Sequence, residues 1–135
     1  MLRLSRKTLF AIEAVLDIAY NAGPEPVQSR EITRRQGIPR RYLEQVLQQL
    51  VRDGILTYRL ARERRRITVG DIVRVIRTME ATSDPVEEPA GSPLGHDVVR
   101  PLWNELSEEF MVRLESITIQ DLCDRARNAG IDSEA

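Results

Sequence analysis

Apolar residues recur at helical spacing in several segments of the chain, and short stretches containing proline or glycine separate those segments. In the first segment, from Ser5 to about Tyr20, the repeating apolar residues are Leu9, Ile12, Leu16 and Ala19. This spacing brings one apolar side chain per turn to the same face and predicts an amphipathic helix. Ser5 suits the N-cap position, and the Asn-Ala-Gly-Pro sequence at 21–24 ends the helix.

Two further predicted helices are joined by a tight turn. Ser29 caps a short helix over 30–36, and the Gly-Ile-Pro sequence at 37–39 turns the chain sharply into a helix over 40–53. The predicted apolar face of this second helix is Leu43, Val46, Leu47, Leu50 and Val51, and the polar face is Arg41, Glu44, Gln45, Gln48 and Arg52. The pattern is typical of a helix-turn-helix, although any three-helix bundle can contain such a turn.

A short alternating stretch follows the helix-turn-helix. Residues 55–61 predict a small β-wing, and the arginines of 62–66 would then lie near a nucleic-acid backbone, with a solvated loop as the alternative. Thr68 caps a fourth helix with Asp71 three residues on. The apolar stripe of that helix is Val69, Ile72, Val73, Ile76 and Met79. Proline, glycine and acidic residues in 81–96 predict a loop or linker.

The C-terminal part predicts a long helix, from about 97 to 117, and a short terminal helix beginning at Thr118. Apolar residues in the long helix step by 3, 4, 4 and 3 through Trp103, Leu106, Phe110, Leu114 and Ile117. Leu102, Met111 and Val112 widen this surface, which favours packing against a second copy over a wide core stripe. The candidate dimer-interface residues are Leu102, Trp103, Leu106, Phe110, Leu114 and Ile117.

The 135-residue chain has a net charge of only −1, but its N-terminal and C-terminal parts carry opposite net charges. Residues 1–79 carry 16 basic against 8 acidic residues, whereas residues 80–135 carry 4 against 13. Nineteen of the 20 basic residues are arginine, which favours bidentate contacts to phosphate or guanine. The first part therefore suits a polyanion, unless the basic residues merely cluster on solvated helices.

The sequence contains few residues of the types that usually act in catalysis or bind metal ions. It has one cysteine and one histidine, and it contains no nucleophile–histidine–acid set or phosphate-binding glycine loop, so we expect no enzyme. His96, beside Asp97, is more typical of a solvated residue than of a metal or pH site, and Cys123 of a buried hydrophobe than of a redox sensor. No apolar run is long enough to span a bilayer and no signal-peptide layout is present, so we expect a cytoplasmic protein without membrane contact.

Five motifs in this order resemble the Rrf2-type winged helix-turn-helix regulators of bacteria over nearly the whole chain. They are RLSRKTLFAIEAVLDIA, REITRRQGIPRRYLEQVLQQLVRDGIL, YRLAR, ITVGDIVRVI and PLWNELSEEFMVRLESITIQDL. The resemblance implies a mainly α fold, with a winged helix-turn-helix domain, a short β-wing and a long C-terminal dimerisation helix. We expect the boundaries to be 1–80 for the DNA-binding domain, 81–96 for the linker and 97–135 for the dimerisation part.

The resemblance and the helix-turn-helix pattern together select a set of DNA-contacting residues. The first helix of the family lies close to the DNA backbone, which implicates Lys7 and Thr8. The candidates at the start of the two helix-turn-helix helices and in the groove are Ser29, Arg30, Pro39, Arg40, Arg41, Tyr42 and Gln45. Arg59 is a further candidate for phosphate contact.

Two departures from the family pattern change the expected function. The glycine-rich wing tip that usually precedes the YRLAR-like segment is absent, so either the wing is shortened or a loop is missing from the sequence. Many relatives hold an iron–sulfur cluster through three cysteines in the loop before the long helix, and this loop contains none. We therefore expect no cofactor.

The sequence thus predicts a homodimeric regulator that binds a palindromic operator in double-stranded DNA, and we expect it to act as a repressor. An unidentified small-molecule or protein effector would supply its signal. The alternative is a dimeric protein-interaction or small-molecule-sensing module of the same fold that has lost DNA binding.

Overall fold

Six α-helices make up most of the structure. The computed structural model describes residues 5–57, 59–83 and 92–134. The helices are α1 (Arg6–Tyr20), α2 (Ser29–Gln36), α3 (Arg40–Arg52), α4 (Val69–Ser83), α5 (Arg100–Glu115) and α6 (Ile119–Asn128). Half of the predicted linker, residues 84–91, lies outside the described residues.

Side-chain caps begin three of these helices. Ser5 Oγ accepts the Thr8 backbone N–H at 3.2 Å, as the sequence predicts. Thr68 and Asp71 form the expected reciprocal box at the start of α4, with both bonds at 3.0 Å. Thr118 opens α6 in the same way and accepts a 3.0 Å bond from the N–H three residues on. These caps satisfy N–H groups that have no acceptor within the helix.

The predicted cap of α2 is wrong by one residue. Ser29 is the first helical residue, and Gln28 occupies the N-cap position. The backbone N–H of Gln28 donates to Glu31 Oε2 at 3.4 Å, because the glutamate side chain reaches back over the first turn.

Helix α1 lies at the centre of the main core. Ala11, Ala14 and Val15 are fully buried, and small residues at these positions allow several helices to approach α1 closely. The same core contains Ile32 of α2, Leu43, Val46 and Leu50 of α3, Ile72 and Ile76 of α4, and Ile119 and Cys123 of α6. Because α6 shares this core, the C-terminal end of the chain packs directly on the helix-turn-helix domain.

One predicted core residue of α3 faces solvent instead. Val51 is 49% exposed, whereas Leu50 is fully buried. Each residue of an α-helix advances by about 100°, so Val51 lies well round the helix from the buried arc of Leu43, Val46 and Leu50.

A second, smaller core joins α4 to α5. It contains Val69, Val73, Met111 and Leu114. Gly70 lies at the crossing, where a Cβ would come within 2.4 Å of Glu115 Cγ, so a side chain here would force the helices apart. Leu114 is only 6% exposed, which means that a residue predicted to face a second copy packs within its own chain.

The wing is reduced to a single antiparallel bridge between Leu56 and Leu60 in the described residues. The Ala61 N–H donates to the Ile55 carbonyl at 2.9 Å and closes this short turn. A 3₁₀ turn, Arg64–Arg66, follows it. A second bridge, between Thr68 and Thr118, ties the start of α4 to the start of α6.

The long helix begins earlier than predicted. The chain is helical from residue 93, and a π-helical segment, Gly95–Val99, leads into α5. The Arg100 N–H donates to the Gly95 carbonyl, five residues back. Pro101, in the first turn of α5, has no N–H to continue the α-helical ladder, and the wider segment before it accommodates this loss.

Candidate nucleic-acid interface

Helix α3 presents a polar face on the side opposite its core residues. Since each residue advances by about 100°, burial of Leu43, Val46 and Leu50 turns one row of side chains directly outward. That row is Arg41, Gln45, Gln48 and Arg52, all of which are exposed. Arginine and glutamine offer the hydrogen-bond groups that pair with guanine and adenine edges in the major groove. We call this row the α3 stripe.

Gln48 and Arg52 were not among the candidate residues, although both stood on the predicted polar face of α3. Helical spacing alone could have identified them, because both lie on the same face of the helix as Arg41 and Gln45. Tyr42 lies about 80° from the centre of the buried arc and belongs to the flank of the helix instead.

Tyr42 connects α3 to α1. Its hydroxyl donates a 2.7 Å hydrogen bond to the Lys7 carbonyl, and its ring lies 6.2 Å from the ring of Phe10. Burial, with a contribution from the charge of Glu80, raises the pKa of Tyr42 to about 12. Tyr42 stays a predicted groove residue, but its hydroxyl proton is already donated to the Lys7 carbonyl, so the side chain also positions the start of α3.

Lys7 and Thr8 occupy different environments. Lys7 is exposed, and its Nζ lies 5.7 Å from the centre of the Tyr42 ring, beside the start of α3. Thr8 is only 6% exposed, and its hydroxyl lies 3.0 Å from Ser5 Oγ. The structure does not bring the Thr8 side chain to the surface, because Thr8 belongs to the cap of α1.

Arg40 flanks the α3 stripe. Its Nε lies 3.1 Å from Glu44 Oε1, and the two side chains are 73% and 53% exposed. An ion pair this exposed contributes little stability, so a phosphate can replace Glu44 as the partner of Arg40. Pro39, at the N-cap of α3, is also exposed.

The remaining candidates lie at the start of α2 and in the wing. Arg30 is exposed and Ser29 is half-buried at the first turn of α2. Arg59 is exposed, and its guanidinium donates to the Pro24 carbonyl. Arg65 is paired with Glu63 at 2.9 Å, so part of the basic wing is neutralised by its own acidic residue.

The described residues contain no cluster of three histidine, cysteine, aspartate or glutamate side chains that could hold a metal ion. Cys123 is fully buried in α6, and burial raises the pKa of its thiol, which disfavours the reactive thiolate. His96 Nδ1 lies 2.7 Å from Asp97 Oδ1 on an exposed segment. Among the helices that the structure describes, none is long and apolar enough to cross a membrane.

A helix-turn-helix with an exposed arginine- and glutamine-bearing second helix, next to a short wing, defines a DNA-binding protein of the winged-helix class. The family model described as Rrf2, iron-dependent transcriptional regulator, matches residues 4–125. The chain belongs to the Rrf2 family and is a DNA-binding transcriptional regulator, not an enzyme.

Curated relatives extend over most of the chain. It is 30% identical to protein rrf2 of Nitratidesulfovibrio vulgaris over 130 residues, which covers 90% of this chain and 87% of the relative. It is 31% identical to the HTH-type transcriptional regulator IscR of Klebsiella pneumoniae over 132 residues, covering 90% of this chain and 79% of the relative.

Solved structures confirm the winged-helix fold with its long C-terminal helix. T. potens IscR superimposes with a TM-score of 0.71 and 29% identity, over 94% of this chain and 90% of that chain. CymR, the global cysteine regulator of B. subtilis, superimposes with a TM-score of 0.68 and 28% identity, over 92% and 98% of the two chains.

Proposed function

We propose that this protein is a homodimeric, sequence-specific repressor that binds a palindromic operator. The observation that carries the proposal is the α3 stripe, a continuous row of exposed arginine and glutamine side chains on the second helix of a helix-turn-helix. In this motif the second helix enters the major groove, and its N-terminal residues contact the base edges. Arg41 and Gln45 are the proposed base contacts, with Gln48 and Arg52 further along the groove.

Phosphate contacts would hold the domain in position on the duplex. Lys7 beside Tyr42, Arg30 at the start of α2, and Arg40 on the flank of α3 are exposed cations on elements that surround the α3 stripe. Arg59 in the wing would extend these contacts along the backbone. Such contacts orient a protein on DNA without selecting a sequence.

The dimer is proposed from the apolar face of the long helix. Val99, Leu102, Trp103 and Leu106 follow the spacing i, i+3, i+4, i+7 and are 37–57% exposed. Phe110 and Ile117 are half-buried at the edge of the smaller core, so they can join an interface only in part. Since burying a large apolar side chain stabilises by about 1.5–3 kcal/mol, a second copy of the same face would cover this surface favourably.

A two-fold dimer places two α3 helices in successive major grooves, which is why we propose a palindromic operator. In this arrangement residues 1–80 supply DNA binding and residues 97–135 supply dimerisation. Binding over a promoter would block transcription, which is the repressor mode.

An iron–sulfur cluster does not fit this chain. Cluster iron is held by several cysteine thiolates, and the sequence has one cysteine, which lies buried in α6 rather than in the loop before α5. We therefore propose regulation without a cluster, through a small-molecule or protein effector.

The test is selection of bound duplexes from a random pool, followed by anisotropy titration of the winning sequence at several salt concentrations. We expect one palindrome to be enriched. We also expect its affinity to fall steeply with salt, because each neutralised phosphate releases counterions. Failure to enrich any sequence, together with no measurable duplex binding, would instead support a protein-interaction or sensing module of the same fold.

A further inference from the structure

Residues 131, 132 and 134 form one side of a cleft that the proposed DNA interface does not use. The cleft has a volume of about 550 Å³ and lies between α1, α2 and α6. Its lining includes Leu16, Asp17, Tyr20, Arg34, Arg35 and Ala126. Leu16, Asp17 and Tyr20 are near the C-terminal end of α1, which is about 20 Å long. Lys7 and its contact with Tyr42 are at the opposite end of the same helix, so the cleft is far from the proposed DNA surface.

Glu134 makes the charged contacts of this segment. Its Oε1 accepts a 2.9 Å hydrogen bond from Arg34 Nη2, and its Oε2 lies 3.7 Å from Arg35 Nε. Its backbone N–H also donates to Asn21 Oδ1 at 2.8 Å. The carboxylate therefore bridges two arginines of α2 while the backbone is held by the end of α1.

Tyr20 holds the rest of the segment. The Ser133 hydroxyl donates to the Tyr20 carbonyl at 2.8 Å. The Tyr20 hydroxyl in turn donates to the Ile131 carbonyl. Residues 131, 133 and 134 are thus each bonded to α1 or α2, which is the arrangement of a short peptide ligand in its site.

Beneath Glu134, a buried ion pair joins α1 to α2. The Asp17 side chain is fully buried and accepts bonds of 2.9 and 2.7 Å from Arg35 and of 2.8 Å from Gln36. Burial alone would raise the pKa of Asp17, but the hydrogen bonds from Arg35 and Gln36, together with the charge of Arg35, outweigh burial and lower it. Arg35 thus has Asp17 on one side and Glu134 on the other.

The last turn of α2 leads directly into α3, the helix that we propose enters the major groove. Arg34, Arg35 and Gln36 are followed by Gly37, which has a left-handed φ of 67°, and by Ile38, which is fully buried. Pro39 is the N-cap of α3, which begins at Arg40. Because this connection is so short, a shift of the last turn of α2 would also displace the start of α3.

We propose that Arg34 and Arg35, at the edge of this cleft, form a regulatory carboxylate site and that residues 131–134 bind to it as a tethered ligand. Glu134, docked on Arg34 and Arg35, holds the last turn of α2, and with it α3, in the arrangement that binds DNA. The inference rests on the proposed DNA-binding function, and it adds a second site on the far end of α1.

Glu134→Gln in the full-length protein tests the proposal. We expect duplex affinity to fall by about two- to fivefold, the range that an exposed ion pair supplies. We also expect amide hydrogen exchange in α2 to become faster, because its last turn loses an anchor. The loss of charge alone would have the opposite effect and raise duplex affinity, because removing a negative charge favours binding to a polyanion.

Asp132→Asn is the matched control. It removes the same charge from the same segment, and the Asp132 side chain makes no hydrogen bond or ion pair with the residues that the structure describes. We expect this variant to keep the wild-type exchange in α2 and to bind duplex at least as tightly as the wild type.

Two outcomes would overturn the inference. One is a Glu134→Gln protein with unchanged exchange in α2, and the other is faster exchange without any loss of duplex affinity relative to Asp132→Asn. If the wild type itself binds no duplex, the proposed function fails, while the exchange comparison still decides whether Glu134 anchors α2.

Discussion

The Tyr42 hydroxyl donates a 2.7 Å hydrogen bond to the carbonyl oxygen of Lys7, and so joins the first turn of α3 to the first turn of α1. The ring packs beside Phe10, and the Lys7 ammonium lies 5.7 Å from the ring centre. Three features of the proposed DNA surface are therefore fixed to one another: the start of the recognition helix, an exposed cation, and the cap region of α1.

Tyr42→Phe should destabilise the fold modestly. The variant keeps the ring and removes one hydrogen bond, so we expect the free energy of unfolding to fall by about 0.5–1.5 kcal/mol in urea denaturation. Operator affinity should fall less than in Arg41→Ala, because the hydroxyl faces Lys7 rather than a base.

The titration of Tyr42 gives an independent check. Its pKa in the folded state is raised from 10.0 to about 12, so the stabilisation is complete below pH 10 and is lost as pH rises through the folded pKa. Absorbance titration should show a late-titrating tyrosine in the wild type that is missing in Tyr42→Phe. Titration of all tyrosines together near pH 10 in the wild type would contradict the burial of Tyr42.

Arg41→Ala should weaken operator binding by about 1–3 kcal/mol if its guanidinium contacts a base in bidentate fashion. Arg41 is exposed at the N-terminal end of the α3 stripe, and it has no acidic partner among the described residues. Anisotropy titration on the selected duplex and on a random duplex of equal length measures the effect.

The comparison of the two duplexes decides the role of Arg41. Loss confined to the selected duplex indicates base recognition, whereas an equal loss on both would make Arg41 a phosphate contact. Arg125→Ala on α6 is the control, because it removes the same exposed charge from a helix outside the proposed interface, and it should bind both duplexes like the wild type.

Iron should be absent from the purified protein. The sequence supplies one cysteine, and its thiol is buried with a raised pKa, so several thiolate ligands are not available. Iron and sulfide assays after aerobic and anaerobic purification, with visible absorption spectra, check this. Stoichiometric iron accompanied by a visible absorption band would refute the cluster-free proposal.

Much of the fold follows from local signals in the sequence. Local spacing, between residues three or four apart, correctly predicts the caps at Ser5, Thr68 and Thr118 and most of the inward face of α3, with Val51 as the exception. The predicted cap of α2 is one residue off because serine is a more usual N-cap residue than glutamine, whereas only Gln28 has a glutamate, Glu31, three residues further on.

Contacts between distant segments could not be predicted in the same way. Periodicity placed Leu114 on an apolar face but could not tell whether α4 or a second copy covers it, and the structure assigns it to α4. Tyr42 lies on the flank of α3, where only the position of α1 decides which way the ring turns. The docking of Glu134 on Arg34 joins residues a hundred positions apart and leaves no periodic signal.

Asp17→Asn should destabilise the fold and flatten its acid dependence. The variant weakens charge-assisted bonds to Arg35 and Gln36 inside the domain, so we expect a loss of about 1–3 kcal/mol at pH 7. The pKa of Asp17 is lowered from 3.8, so its contribution is present above that pH and is lost as pH falls through the lower folded value.

Urea denaturation of both proteins between pH 7 and pH 3 checks the sign of this dependence. The difference between wild type and Asp17→Asn should be largest near neutral pH and should shrink in acid. A constant difference across this range would show that the Asp17 charge does not contribute through ionisation. Asp132→Asn, at an exposed position, should follow the wild type throughout.

Leu106→Glu should dissociate the proposed dimer. Leu106 lies at the C-terminal end of the exposed apolar face formed with Val99, Leu102 and Trp103, and it is 37% exposed in the single chain. A glutamate there can remain hydrated in the monomer, so folding should be retained, whereas in a symmetric interface two such carboxylates would be buried together. Sedimentation velocity should show a change from dimer to monomer, and operator affinity should fall because two half-sites are no longer bound by one particle.

Val112→Glu separates this effect from a general effect of charge on α5. Val112 is 67% exposed and lies on a different side of the helix from Leu106, so the same substitution should leave the protein dimeric. If both variants sediment like the wild type, the long helix is not the dimer interface. If both become monomeric, the interface extends around α5 beyond the face defined by Leu102, Trp103 and Leu106. Circular dichroism of each variant confirms that the helices are retained, so that loss of dimer is measured on folded protein.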